Sequence, residues 1–418
     1  MDAILLVLLQ LIFWVGVGAI VHTYAIYPVI LRRLGGNLKL PEEVMSEGSD
    51  ELPQVVVLLA VYNEEDVLQE TLESIFANEY PEEKLSVYIG SDNSSDGSHA
   101  IIESFQQSQA NLHLEMFPGR NGKIRIINHL SSLAKEQFSD HEDLVYILCD
   151  ANVSWSKKLI YHLVKHFRRP EVGLVASNVL DSRDDHEGIG AAEEAYVNGE
   201  NLTKYAEGVL WGRTMGAFGA CYAMRAELFE PVPTNYIVDD FFLTIGCFEK
   251  GRDAIVDLDA KCYEAVSEEI SEEFRRKQRI STGNFQNLNH FSNFLQPWNC
   301  GFATWFAFWS HKGLRWTGPL FLIAAIVSCV ALACILPFYL LPFAGFAATF
   351  VAAFFDALCV RAKWKLSVKL CRFVRYFYLM NLALFLGMLR FLSGVKNSTW
   401  EPTQRPVDVS ANAVGAGS

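Results

Sequence analysis

Residues 145–153 read VYILCDANV, and the fold turns on them. An unbroken apolar run stops at Asp150, Ala151 and Asn152, and Trp155 and a helical pattern follow. Such a run, without alternation, reads as a strand buried on both faces, as in a parallel sheet. Ligands of open α/β sheets collect at the carboxyl ends of such strands, which aims Asp150 into a crevice. A carboxylate and an amide oxygen two residues apart offer hard oxygen ligands to Mg²⁺ or Mn²⁺. A helix-capping Asp or Asn would leave the same trace, so the neighbours decide.

The neighbours repeat the pattern. Between Pro53 and about Gly283, apolar runs at Val55–Ala60, Leu85–Gly90, Leu112–Phe117, Leu144–Cys149 and Gly173–Ser177 alternate with helical patterns. Those helices start at Asp66, after Asp96, at Asn121 and at Lys157, which makes βαβ units and predicts an α/β, mostly parallel sheet. The first run ends in Val61-Tyr62-Asn63-Glu64-Glu65, the second in Gly90-Ser91-Asp92-Asn93-Ser94-Ser95-Asp96-Gly97. Either alone is a polar turn or an acidic first helical turn. Three acidic strand ends in succession converge on one crevice, which capping does not account for.

The flanks are of another kind. Of 418 residues, 51% are hydrophobic, and the mean hydropathy of +0.16 points to membrane segments. A formal net charge of −13 excludes a general nucleic-acid binder, which needs a basic face. Nine scattered Cys show no CxxC spacing, so they read as buried thiols rather than a zinc site or a disulfide framework. Residues 1–34 hold an apolar run long enough to cross about 30 Å of hydrocarbon, with Asp2 before it and Arg32 and Arg33 after it. The positive-inside rule then puts the block that follows in the cytoplasm, at the inner face of the cell membrane. Residues 35–52 form a linker, and 285–315, with Trp298, Trp305, Trp309, Lys312 and Arg315, read as interfacial helices. Residues 316–360 form a transmembrane hairpin broken at Pro337, with Asp356 near its end. Within 361–405, basic residues including Lys363 and Lys365 mark a cytoplasmic return. The stretch 373–392 reads as an interfacial helix, which would keep Trp400 and Arg405 inside, or as a fourth span, and 406–418 as a disordered tail.

The motifs VVLLAVYNEEDVLQETLESI, IGSDNSSDGS, GRNGK and LCDAN, in that order, resemble the nucleotide-sugar half of family-2 glycosyltransferases. GAFGACYAMR, IVDDFFL and RRKQRISTGN continue the resemblance through the acceptor half, to about Asn284. The membrane-bound members include hyaluronan, chitin, cellulose and poly-N-acetylglucosamine synthases. The resemblance implies a GT-A-type, Rossmann-like domain over residues 53–284 that takes a nucleotide-diphospho-sugar, with UDP the expected nucleotide.

The same resemblance implies roles. Asp150 and Asn152 stand at the metal-binding Asp-x-Asp positions, with an amide where an acid is usual, so the metal would lean more on the diphosphate. Asp92 would accept the uracil N–H, and Ala60, Tyr62, Asn63 and Glu64 would cover the base. Lys123 would meet phosphate or uracil oxygens, unless it is a solvated loop lysine. Asp240, supported by Asp239, would be the base that takes the acceptor's proton, and mutual repulsion would raise one of the two pKa values. Gly219, Ala220 and Cys221 would form the acceptor floor. Arg276 and Arg279 would face the diphosphate, in a segment that keeps the Arg of Gln-x-x-Arg-Trp but neither its Gln nor its Trp; this weakens the case for a processive polymerase.

The expected activity is inverting transfer to a growing glycan. A single addition to a polyprenyl or other lipid acceptor is the alternative, and a ligand-sensing transporter or channel subunit is the alternative of another class. Scarce intramembrane charges speak against the last. So few spans would form an export path only with interfacial helices or a second copy of the chain.

Overall fold

The computed structural model describes residues 3–182, 190–265, 270–362 and 368–395, with the side chains of 190–195 also left aside. Lys363, Lys365, Trp400, Arg405 and the tail 406–418 lie outside the described residues.

The chain opens with α1 (Ala3–Val21), a π-helical turn at His22–Ile26, and α2 (Tyr27–Gly35), which together make one long apolar rod. Then come β1 (Val55–Val61), α3 (Glu65–Phe76), β2 (Leu85–Ser91), α4 (Ser98–Gln106), β3 (Leu112–Met116), α5 (Lys123–Gln137) and β4 (Val145–Cys149). The order continues with β5 (Val153–Trp155), α6 (Leu159–Val164), β6 (Val172–Asp181), α7 (Gly190–Trp211), β7 (Cys221–Arg225), α8 (Asp239–Glu249), β8 (Asp253–Glu264) and α9 (Ile270–His290). The membrane-side elements are α10 (Pro297–Phe308), the single turn α11 (Leu314–Trp316), α12 (Gly318–Ala333), α13 (Leu340–Arg361) and α14 (Lys369–Leu392).

One eight-stranded sheet runs β3-β2-β1-β4-β7-β6-β8-β5. The expected strands pair in parallel, β3 to β2, β2 to β1 and β1 to β4. Three strands were not anticipated. Of these, β7 is antiparallel to both β4 and β6, β8 is parallel to β6, and short β5 closes the edge antiparallel to β8. The apolar runs are unbroken because both faces are covered. Val56, Leu58, Ala60, Tyr146, Leu148, Tyr222 and Met224 face a core shared with α5, α8 and α9. Their alternates Val55, Val57, Leu59, Ile147, Cys149 and Ala223 face a core under α3, α4 and α6.

α9 runs through the expected domain edge at residue 284, because Phe285, Gln286 and Asn287 are buried along with Thr282 and Gly283. Ser281 and Thr282 donate to the carbonyls of Leu384 and Gly387, which docks α14 onto α9. Among the described residues, three helices are long and apolar enough to cross a membrane: Ala3–Gly35, Pro337–Arg361 and Lys369–Leu392. A bent pair, Pro297–Trp316 with Gly318–Ala333, would make a fourth. Residues 369–392 are long and apolar enough for a span, the second of the two expectations for this stretch, and α14 packs against α13 as well as α9. Asp356 is buried against Arg375, Oδ2 to Nε 2.9 Å, which joins α13 to α14. Gly16 meets Ala325 closely where α1 crosses α12.

Candidate active site

In register, Ala60 pairs with Gly90 and Leu59 with Cys149, so β1, β2 and β4 end at one level of the sheet. The first two ends are laced together. Asn63 Oδ1 accepts the Ser95 N–H, the Asn63 and Glu64 N–H groups donate to Ser94 and Ser98, and Glu65 accepts the Gly97 N–H. Asn63 (φ 50°) and Asn93 (φ 61°) both take the left-handed conformation that Asn tolerates, which folds the loops together.

Asp92 is completely buried. Its carboxylate accepts the N–H groups of Asn121 and Gly122 and the Nε–H of Arg120 at 3.1 Å. Asp92, expected to accept the uracil N–H, thus fastens the Gly119–Gly122 loop. Gly122 (φ 85°) precedes α5 in a conformation that strains any other residue. The loop sets the Arg120 guanidinium 3.2 Å over the ring of Tyr62, so a basic, aromatic wall stands beside the β1 end.

α5 begins at Lys123, which is no solvated loop lysine. Its Nζ donates to Asp150 Oδ1 at 2.7 Å and lies 3.7 Å from Asp239 Oδ2. Burial would lower its pKa, but Asp150, Asp239 and Asp240 outweigh that and hold it above the usual lysine range. The end of β4 and the start of α8, 89 residues apart by number (239 − 150), therefore meet at one ammonium.

Asp239 and Asp240 form the first turn of α8. The Asp240 carboxylate accepts its Phe241 N–H at 2.6 Å, and its backbone carbonyl accepts the Thr244 hydroxyl. Burial raises the Asp240 pKa to about 6, helped by the charge of Asp239 and opposed by Lys204 and Lys123. Gly219 lies against this carboxylate, since a Cβ would come 3.2 Å from Asp240 Oδ2 and the carboxylate would have to shift to admit it. Ala220 gives its carbonyl to the Asp150 N–H and is itself buried. Cys221, expected in the acceptor floor, opens β7 opposite Cys149 with its side chain in the sheet core.

Arg279 feels Asp150 and Asp239; burial, then Arg276, lowers its pKa against their pull. Arg276 is ion-paired with Glu273, one turn back on α9. For a divalent cation, Asp150 offers its second carboxylate oxygen and Asn152 an amide oxygen. Asn152 Nδ2 donates to Glu264 Oε1 at 3.4 Å, which brings a further carboxylate from the end of β8. This oxygen-rich set suits Mg²⁺ or Mn²⁺. A second cluster, His162, Asp257 and Asp259, has ligand atoms close enough for an ion and shares no residue with this site. There Lys165 Nζ already bonds His162 Nδ1 (3.0 Å) and Asp257 Oδ2 (2.8 Å), so an ammonium holds the cation's place.

Sequence reasoning missed Glu264 and a buried set on α7, Glu200, Lys204 and Glu207. The signal was present: three ionisable residues spaced to share one helical face inside an otherwise ordinary helix.

A mixed, mostly parallel sheet with acidic strand ends gathered beside a second acidic turn defines a glycosyltransferase of the GT-A fold. The fold matches that of a mannosyltransferase from Pyrobaculum calidifontis, solved in complex with GDP-Man and Mn²⁺. That match has a TM-score of 0.64 at 22% identity and covers 91% of this chain and 99% of the other. Residues 56–232 match glycosyl transferase family 2, and residues 147–358 match glycosyl transferase family group 2. The chain belongs to that family group and carries a family-2 glycosyltransferase domain. It is 30% identical over 131 residues to the poly-beta-1,6-N-acetyl-D-glucosamine synthase of Staphylococcus aureus, covering 31% of this chain and 29% of the relative. It is 28% identical over 201 residues to the beta-monoglucosyldiacylglycerol synthase of Synechocystis, covering 46% and 40%. In both cases the aligned stretch spans less than half of the relative's length.

Proposed function

We propose that the protein is an inverting hexosyltransferase that moves a sugar from a nucleotide-diphospho-sugar to a glycan or lipid-linked acceptor at the cytoplasmic face of a membrane. The observation that carries this is the meeting of Asp150, Asp239 and Lys123. It joins the strand end that would face a diphosphate to the helix start that holds the base. The donor's base would stack on the Tyr62–Arg120 wall. Its diphosphate would draw Lys123 from Asp150 and come within reach of Arg279, two cations suited to the charge that builds as the nucleotide leaves. Asp150 and Asn152 would hold a divalent cation that supplies Lewis-acid stabilisation of that charge when bound.

Asp240 takes the proton of the acceptor hydroxyl as that oxygen attacks the anomeric carbon, and the nucleotide diphosphate departs from the opposite face. A carboxylate raised to about 6 is a stronger base than an ordinary one and is still ionised at neutral pH. Gly219 keeps the acceptor's approach to Asp240 open.

Between the acceptors, the docking of the candidate span α14 on α9, the helix that carries Arg279, supports a lipid-bearing one. The chain's likeness to two relatives, one named for a glycan and one for a glycolipid, leaves a growing glycan as the second reading. The test is a panel of nucleotide-sugars offered to the purified protein in detergent, with products sized on a gel. Asp240→Asn is expected to lose about 10²–10⁴-fold in transfer while nucleotide binding persists. Transfer at the wild-type rate in that variant would remove Asp240 from the role, and no turnover of any donor would remove the enzyme reading.

A further inference from the structure

α7 turns Glu200, Lys204 and Glu207 to one side, each at most 4% exposed. Both glutamates are fully engaged. His311 stands between them, Nδ1 2.7 Å from Glu207 Oε1 and Nε2 2.7 Å from Glu200 Oε1. Lys312 and Arg315 complete Glu200, and the Tyr27 hydroxyl and the Met215 N–H donate to Glu207. This junction ties α7 to α2 and to the α10–α11 segment, and through Met215 to the loop that leads into β7.

Lys204 lies between those acids along the helix, yet among the described residues it bonds to neither. Its ammonium instead stands 3.3 Å over the ring of Phe218. Phe218 is followed by Gly219, the residue held against Asp240 Oδ2. Lys204 and Asp240 therefore bracket one short wall, Phe218–Gly219. A buried ammonium without a hydrogen-bonded anion is unfavourable unless other charge answers it. The ring face answers part of it. The charged groups around it are Lys312, which repels it, and Glu200, Asp240 and Glu207, which attract it. Burial, followed by Lys312, lowers its pKa to about 7.

We propose that Lys204 is a positioning residue for Asp240: seated by the α7 junction, its ammonium steadies the Phe218–Gly219 wall and holds the Asp240 carboxylate in its ionised form. This rests on the reading of Asp240 as the base. The groups that face Asp240 are Asp239 on its own helix, Lys204 from α7, Lys123 from α5 and the Tyr222 hydroxyl from β7. Of the cations, Lys204 acts on it most strongly.

The experiment measures kcat and donor KM against pH for the full chain in detergent, as wild type, Lys204→Met and Lys204→Arg. Removing the charge in Lys204→Met is expected to move the acid limb of kcat upward by about one pH unit, which lowers kcat about twofold at pH 7 and about tenfold well below pH 6. Donor KM should stay within about twofold, and Lys204→Arg should keep the wild-type limb. A structural role alone would lower the rate without moving the limb, so an unmoved limb in Lys204→Met overturns the proposal. If Lys204→Met does not fold, Phe218→Leu takes its place: it removes the ring beneath the ammonium and is expected to shift the limb in the same direction, and an unmoved limb overturns the proposal equally. Transfer retained in Asp240→Asn would instead overturn the base assignment, and with it this inference.

Discussion

At the scale of single residues the site is a problem in charge placement. Asp239 and Asp240 lie close enough to repel each other, and Lys123 joins Asp150 to Asp239 at 2.7 and 3.7 Å. Asp240, without a direct ion pair among the described residues, is raised to about 6 by burial and then by the charge of Asp239. The sign of the pH dependence follows. A base must be ionised to work, so the rate is level above about pH 7 and falls to half at about pH 6, well above where an ordinary aspartate would titrate. A kcat profile flat to pH 5 would exclude it. Asn152 invites a second measurement. A neutral amide holds a divalent cation less firmly than a carboxylate does, so Asn152→Asp should lower the Mn²⁺ concentration for half-maximal rate about tenfold. Chelation should abolish wild-type activity; activity unchanged by chelator would remove Asp150 and Asn152 from metal binding.

At the scale of elements, what stands out is how the catalytic domain holds its membrane helices. α9 carries Arg279 toward the site on one side and docks α14 on another, through Ser281 and Thr282 to the carbonyls of Leu384 and Gly387. Gly387 allows this approach, since a Cβ there would lie 2.5 Å from Ser281 Cβ and 2.6 Å from the Gln278 carbonyl oxygen. Because one of those neighbours is backbone, the helices must separate to admit a side chain. Gly387→Val is expected to destabilise by about 1–3 kcal/mol, read as a lowered thermal midpoint in detergent. Activity should fall with it, because Arg279 moves with α9. An unchanged midpoint would mean that α9 and α14 are not packed as described.

At the scale of the whole molecule, three to four helices long and apolar enough to span a membrane, among the described residues, accompany a GT-A domain, and α1, α12, α13 and α14 pack in sequence against one another. With Arg32 and Arg33 inside, α12 would leave the cytoplasm and α13 would return, so the turn at Cys334–Leu336 would face outward. Among the described cysteines, Cys334 is exposed and the others are buried or partly so. A membrane-impermeant thiol reagent should therefore label Cys334 in intact cells, and Cys334→Ser should remove most of that label. Labelling only after the membrane is opened would invert the topology.

VYILCDANV, the acidic ends of β1 and β2, and Asp239-Asp240 were legible because parallel strands buried on both faces leave unbroken apolar runs, and the polar residues that end them stand out. The apolar spans were legible for a similar reason, since hydrocarbon tolerates little else. By itself the sequence determined the α/β class, the order of the motifs and the candidate base. Tertiary structure alone decided that β7 enters the sheet antiparallel and buries Cys221. It also turned Asp92 inward onto the Gly119–Gly122 loop, drew Lys123 out of solvent onto two carboxylates, and set the Lys204 ammonium over the Phe218 ring. These outcomes depend on partners distant in the chain, and the burial and charge that those partners supply leave no periodic mark on the residues they act upon.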